Sequence, residues 1–85
     1  MHFYRGREGI DDGVYADLDE LFTDLAAVYR QEIAALAELG ARYIQIDEVP
    51  LAMLCDADVR ERLRARGEDP EALVTSYIDA LNWAL

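Results

Sequence analysis

One short segment of this chain, residues 42–47, has the composition of a β-strand, and it restricts the possible folds more than any other feature. It contains Tyr43, Ile44 and Ile46, which are residue types that favour strands. Pro50 follows closely and cannot extend a central strand. Because a single strand leaves backbone donors and acceptors unpaired along both edges, it needs a partner. Three alternatives remain: the strand pairs with a copy in another subunit, the segment is a loop, or the chain is part of a larger α/β sheet.

The rest of the chain is patterned mainly as helices. Apolar residues recur at every third or fourth position through the clearest of them, with Asp17 as a suitable N-cap, Glu20 at capping-box spacing and Gly40 just after its end. Asp69 and Pro70 are typical of the start of a later helix. The predicted elements, in order, are an arm or loop at 1–16, a long helix at 17–39, the strand at 42–47, and helices at 56–66 and 70–85.

The order of these elements indicates the fold class. Helix, glycine, strand, acidic strand end and helix form the repeating unit of α/β folds. We therefore predict a single α/β segment over residues 1–85, a partial (β/α)8 barrel that is mostly helical with one strand. In such a barrel the carboxyl ends of the strands face the active site, and Asp47 and Glu48 occupy that position here.

Charge and composition exclude several classes of partner. The 85 residues include 18 acidic and eight basic side chains, which gives a formal net charge of −10. Nucleic acids and anionic lipids repel such a surface, so neither a nucleic acid nor a membrane is an expected partner. Residues 1–7 lack the apolar run of a signal peptide, and the single cysteine, Cys55, cannot form an internal disulfide. These features predict a cytoplasmic protein.

The stretch Tyr43-Ile44-Gln45-Ile46-Asp47-Glu48-Val49-Pro50-Leu51-Ala52 resembles a segment of a known family. It is similar to the C-terminal catalytic barrel of cobalamin-independent methionine synthase and its shorter relatives. The likeness continues through Leu39-Gly40-Ala41-Arg42 before this stretch and Tyr77-Ile78-Asp79-Ala80-Leu81-Asn82 after it. It covers nearly the whole chain, from about residue 3 to residue 85.

The resemblance implies a function and its site residues. In that family a zinc ion holds a thiol as the thiolate, which takes a methyl group from a folate. In that family the acid that matches Asp47 helps to hold the amino group of the thiol substrate. The resemblance therefore implies a substrate-binding role for Asp47 and for the adjacent Glu48. We assign the same role to Gln45, which alternates with Asp47 along the predicted strand. The family's His, Cys, Glu and Cys zinc ligands have no matching motif here, and His2 and Cys55 do not replace them.

These observations predict a segment of a zinc-dependent methyltransferase that acts on a thiol such as homocysteine and is inactive alone. Zinc, methyl-folate and the thiol amino acid are expected only for the complete barrel, and we predict no catalytic residue, metal ligand or cofactor for this chain by itself. The alternative is a non-catalytic helical module for oligomerisation or interaction. Self-association is expected through the unpaired strand or the apolar helix faces. Cys55 is expected to be a small buried apolar residue.

Overall fold

The computed structural model describes residues 6–85, and every regular element in that range is helical. A short 3-10 helix at Gly6–Gly9 comes first. Four α-helices follow: α1 at Leu18–Glu38, α2 at Val49–Met53, α3 at Ala57–Ala65 and α4 at Pro70–Ala84. His2 and the first residues of the predicted arm lie outside the described range. No helix within that range has both the length and the apolar character needed to cross a bilayer.

Side-chain caps start the three longer helices where the sequence predicts them. The carboxylate of Asp17 accepts the N–H of Glu20 at 2.8 Å, and the Glu20 carboxylate accepts the N–H of Ala16 at 3.2 Å. Asp56 caps α3 in the same way through the N–H of Val59. Asp69 accepts the backbone N–H groups of Ala72 and Glu71 at the start of α4, and these bonds lower the pKa of its carboxyl group.

Two glycines end α1 and α3 in the same geometry. Gly40 has a φ of +96° and Gly67 a φ of +80°, a region that other residues rarely adopt. After Gly40, the N–H of Ala41 donates to the carbonyl of Leu36, and after Gly67 the N–H of Glu68 donates to the carbonyl of Leu63. These are Schellman motifs, in which the last carbonyls of a helix are satisfied by the turn that follows it.

The core has two parts. Leu54, Leu63 and Leu73 form a buried cluster where α2, α3 and α4 meet. Between α1 and α4 the buried residues are Phe22, Ala26 and Ala84. Arg60 of α3 links the helices around the buried cluster. It donates to the carbonyl of Leu54, at the end of α2, at 3.0 Å and forms an ion pair with Glu71 of α4.

Helices α1 and α4 run parallel to each other. The rings of Phe22 and Tyr77 lie 5.1 Å apart, and eight residues further along α1 the guanidinium of Arg30 donates to the carbonyl of Trp83 at 3.0 Å. The contacts therefore advance in the same direction along both helices. Residues 41–48 have no regular secondary structure and begin the connection from the end of α1 back to the start of α4.

The structure contradicts the predicted fold class. Residues 42–47 are not a strand, and no strand or sheet is present anywhere in residues 6–85, so the chain is a small helical domain rather than an α/β barrel segment. The reason is that a strand is defined by backbone hydrogen bonds to a neighbouring strand, and the described residues supply no neighbour. Strand-favouring side chains such as Tyr43 and Ile44 do not replace that pairing.

Much of the apolar stripe of α1 is not covered. Phe22 and Ala26 are buried, whereas Leu25, Val28 and Tyr29 on the same helix are exposed. Beyond the helix, Tyr43 is 82% exposed. The core is therefore small, because a helix buries its apolar face only where another element packs against it.

Candidate functional site

A small cavity of about 190 Å³ lies between α1 and α4 beside residues 46–48, and it contains two of the predicted site residues. Its walls are mostly apolar and aromatic, and Asp47 and Glu48 supply the carboxylates. The lining residues are Phe22, Leu25, Ala26 and Tyr29 from α1, Ile46, Asp47 and Glu48 from the connection, and Tyr77, Ala80, Leu81 and Ala84 from α4.

Asp47 is held by a chain of side-chain hydrogen bonds. The hydroxyl of Tyr43 donates to the carboxamide oxygen of Gln45 at 3.0 Å, and the Gln45 amide nitrogen donates to a carboxylate oxygen of Asp47 at 2.7 Å. Tyr43, Gln45 and Asp47 occupy alternate positions, a spacing that places side chains on one side of an extended backbone. Gln45 therefore restrains the Asp47 carboxylate and leaves its second oxygen available for a ligand.

Glu48 is fixed in a different way. Its carboxylate accepts the N–H of Leu51 at 3.2 Å and so caps the one-turn helix α2. The side chain is half-buried, and the capping bond holds its charge beside the cavity.

Tyr77 is the cavity residue whose chemistry is most altered by its surroundings. Burial is the main cause that raises the pKa of its hydroxyl to about 12, and the negative charges of Glu48 and Glu68 raise it further. The hydroxyl therefore stays protonated at neutral pH and can donate a hydrogen bond. The sequence alone assigns no role to Tyr77, and the one signal available is a polar hydroxyl at an apolar-patterned position of the last helix.

The arrangement suits recognition of a small molecule that carries a positive charge on an apolar body. Two carboxylates at the wall attract a cation, and the aromatic and aliphatic walls accept the rest of the molecule. At about 190 Å³ the cavity is smaller than the several hundred Å³ typical of sites for drug-sized ligands, so a ligand the size of an amino acid fits it best.

The described residues do not form a metal site. No three His, Cys, Asp or Glu side chains within residues 6–85 come close enough together to hold an ion. Cys55 does not line the cavity, and its thiol donates to the carbonyl of Leu51 at 3.5 Å. The prediction that Cys55 is buried is wrong, because Leu54 occupies the buried position next to it and leaves Cys55 exposed. The zinc of the resembled family therefore does not fit the residues described here.

Comparison with known proteins shows partial similarity to a methyltransferase. The chain is 35% identical over 68 residues to the 5-methyltetrahydropteroyltriglutamate–homocysteine methyltransferase of Xylella fastidiosa, a match that covers 73% of the chain and 9% of that protein. The family resemblance is thus supported at the level of a partial similarity to a methionine synthase.

Two proteins of Bacillus subtilis match more of the chain. The uncharacterised protein YxjH is 36% identical over 78 residues, which cover 92% of the chain and 21% of YxjH. The uncharacterised protein YxjG is 28% identical over 86 residues, which cover the full chain and 22% of YxjG. The chain thus spans about a fifth of the length of these relatives. No model of a known protein family matches the chain, and no solved structure matches it significantly.

Proposed function

We propose that this chain is the amino-acid-recognition segment of a methyltransferase related to methionine synthase, and that Asp47 and Glu48 bind the ammonium group of a thiol amino acid such as homocysteine. The single observation that carries the proposal is that both acids line one small, largely apolar cavity. The partial similarity to a homocysteine methyltransferase supports the class of substrate.

The residues of the cavity have separate tasks in this proposal. Asp47, restrained by Gln45, accepts hydrogen bonds from the ammonium group, and Glu48 adds a second negative charge that is fixed by its capping bond. The protonated hydroxyl of Tyr77 is available as a donor to an anionic group of the ligand. The aliphatic and aromatic walls pack on the side chain of the substrate.

The proposal covers recognition and not the transfer itself. No thiol and no cluster of metal ligands lines the cavity in the described part of the chain, so we derive no step through zinc. The methyl-folate donor and a resident zinc ion are proposed only for a larger protein of which such a segment is part, and the chain spans only 9% of the Xylella enzyme.

A calorimetric titration with matched ligands tests the proposal. L-homocysteine is compared with 4-mercaptobutyrate, which has the same thiol and carboxylate but no amino group, in reducing buffer at pH 7. We expect the affinity for homocysteine to be about 5-fold higher, which corresponds to the ~1 kcal/mol of an exposed ion pair. Asp47→Asn should reduce that difference, and Glu48 should retain the remainder because its carboxylate also lines the cavity.

The control variant is Glu38→Gln, which removes the same charge nine residues, or about 13 Å, beyond Tyr29 along α1. It should bind homocysteine as the wild-type chain does. Equal affinities for the two ligands, or a homocysteine affinity that Asp47→Asn leaves unchanged, would refute the assignment.

We further propose self-association as a second function that specific observations favour. Tyr43 and Leu39 are 82% and 85% exposed, and no backbone hydrogen bond among the described residues involves residues 42–47. The net charge of −10 opposes contact between two copies, so dimerisation should strengthen as salt screens that repulsion. Sedimentation equilibrium at 20 mM and 500 mM NaCl measures this, and a monomer at both salt concentrations would exclude it.

A further inference from the structure

A second and larger groove, of about 530 Å³, borders the other side of the contact between α1 and α4. It shares Phe22, Ala26 and Ala80 with the cavity described above, so these three residues separate the two spaces. The remaining lining residues are Asp19 and Thr23 from α1 and Ser76, Asp79 and Trp83 from α4.

The oxygen-bearing side chains of this groove offer acceptors and not donors. The hydroxyl of Thr23 donates to the backbone carbonyl of Asp19 at 2.7 Å, and that of Ser76 donates to the carbonyl of Ala72 at 3.1 Å. Both hydroxyl protons are thus already used within their own helices. The carboxylates of Asp19 and Asp79 are exposed, and neither has a hydrogen-bonding or ionic partner among the described residues. A ligand that meets these groups must therefore bring hydrogen-bond donors, and the two negative charges favour a cation.

The indole of Trp83 completes a surface suited to a cation. Asp79 and Trp83 are four residues apart on α4, which places them on the same face of the helix. Trp83 is 49% exposed, and the guanidinium carbon of Arg30 lies 6.0 Å from the centre of the indole, so the ring already takes part in one cation–π contact. The charge of Arg30 offsets one of the two carboxylates, which leaves a net negative charge at the groove.

We propose that this groove binds a small organic cation, an ammonium group attached to an aromatic or aliphatic body. The carboxylates of Asp19 and Asp79 attract the ammonium group, and Trp83 and the apolar floor at Phe22 pack against the body. The volume of about 530 Å³ lies within the ~300–1,000 Å³ range of small-molecule sites. This site does not depend on the function proposed for the smaller cavity.

Trp83 fluorescence can report binding at this groove specifically. Trp83 is the only tryptophan in the sequence, and it lines the groove but not the smaller cavity. Its fluorescence, excited at 295 nm, is followed during titration with 2-phenylethylammonium, 2-phenylethanol and 3-phenylpropionate at pH 7. These probes share the aromatic body and differ in charge. We expect the cation to bind about 5-fold more tightly than the alcohol and the anion to bind more weakly than either.

Two variants separate the groove from the general charge of the protein. Asp79→Asn should weaken binding of the cation about 3- to 5-fold and leave that of 2-phenylethanol unchanged. Glu38→Gln removes an equal charge about 18 Å beyond Ala26 along α1 and should change neither. Equal affinities for the three probes, no effect of Asp79→Asn on the cation, or an equal effect of Glu38→Gln would overturn the assignment. Circular dichroism confirms that each variant remains folded.

Discussion

The raised pKa of Tyr77 predicts a specific loss of stability at alkaline pH. The hydroxyl has a pKa of about 12 in the folded chain against 10.0 for an unperturbed tyrosine, and burial of the ring is the largest cause. Below pH 10 the group is protonated in both the folded and the unfolded chain. Between pH 10 and 12 the unfolded chain loses the proton first, so its free energy falls relative to that of the folded chain.

The magnitude follows from the size of the shift. A displacement of two pKa units corresponds to about 2.7 kcal/mol between the protonation states. Tyr77 is only half-buried, and water screens part of the effect, so we expect about 1–2 kcal/mol to be lost by pH 12. Tyr77→Phe removes the ionisable hydroxyl and keeps the ring that packs on Phe22. The variant should therefore lose about 1–2 kcal/mol less than the wild-type chain.

The assay is urea unfolding followed by circular dichroism at pH 9 and at successive steps up to pH 12. Tyr15, whose pKa is raised mainly by its hydrogen bond to Asp24, is present in both proteins, so its contribution cancels in the difference. Identical losses of stability in the two proteins would refute the reasoning. A pKa near 10 for Tyr77, obtained from the difference between the two proteins in tyrosinate absorbance at 295 nm, would also refute the reasoning.

Two further predictions concern stability. Leu63→Ala removes a fully packed side chain from the buried cluster and should lower the free energy of unfolding, measured in urea, by about 2–4 kcal/mol. Leu39→Ala, at an exposed position, should change it by less than ~0.5 kcal/mol. Similar effects of the two variants would contradict the placement of the core. Gly40→Ala should lower the free energy of unfolding, measured by thermal unfolding, by about 1 kcal/mol. The added Cβ has open space around it, but the φ of +96° disfavours alanine. A variant as stable as the wild-type chain would show that the turn relaxes without strain.

The helices were predictable because their signals are local. Asp17, Asp56 and Asp69 lie within three residues of the N–H groups that they cap, and Gly40 ends α1 next to the carbonyls that its turn satisfies. The α/β class was not predictable from local signals. A strand at 42–47 depends on backbone partners elsewhere, and the described residues do not supply them.

The candidate site was predictable only in part. The sequence identified Asp47 and Glu48, and the structure brings both to one cavity, but their role in binding substrate stays a prediction. Tyr77 and Tyr29 reach the same cavity from helices that are distant in sequence, and helical periodicity gives only the face on which such residues lie. The groove at Asp19 and Trp83 also requires the packing of α1 on α4, which no spacing in the sequence reveals.

The parallel arrangement of α1 and α4 has a consequence for the order in which the chain folds. Arg30 and Trp83 are 53 residues apart, and closing a loop of that length costs about 3.5 kcal/mol of chain entropy in addition to a constant term. The contacts that join Leu54, Leu63 and Leu73 close much shorter loops. The cluster of Leu54, Leu63 and Leu73 should therefore assemble first, and α1, the longest of the four α-helices described, should gain its stabilising contacts only after α4 has formed.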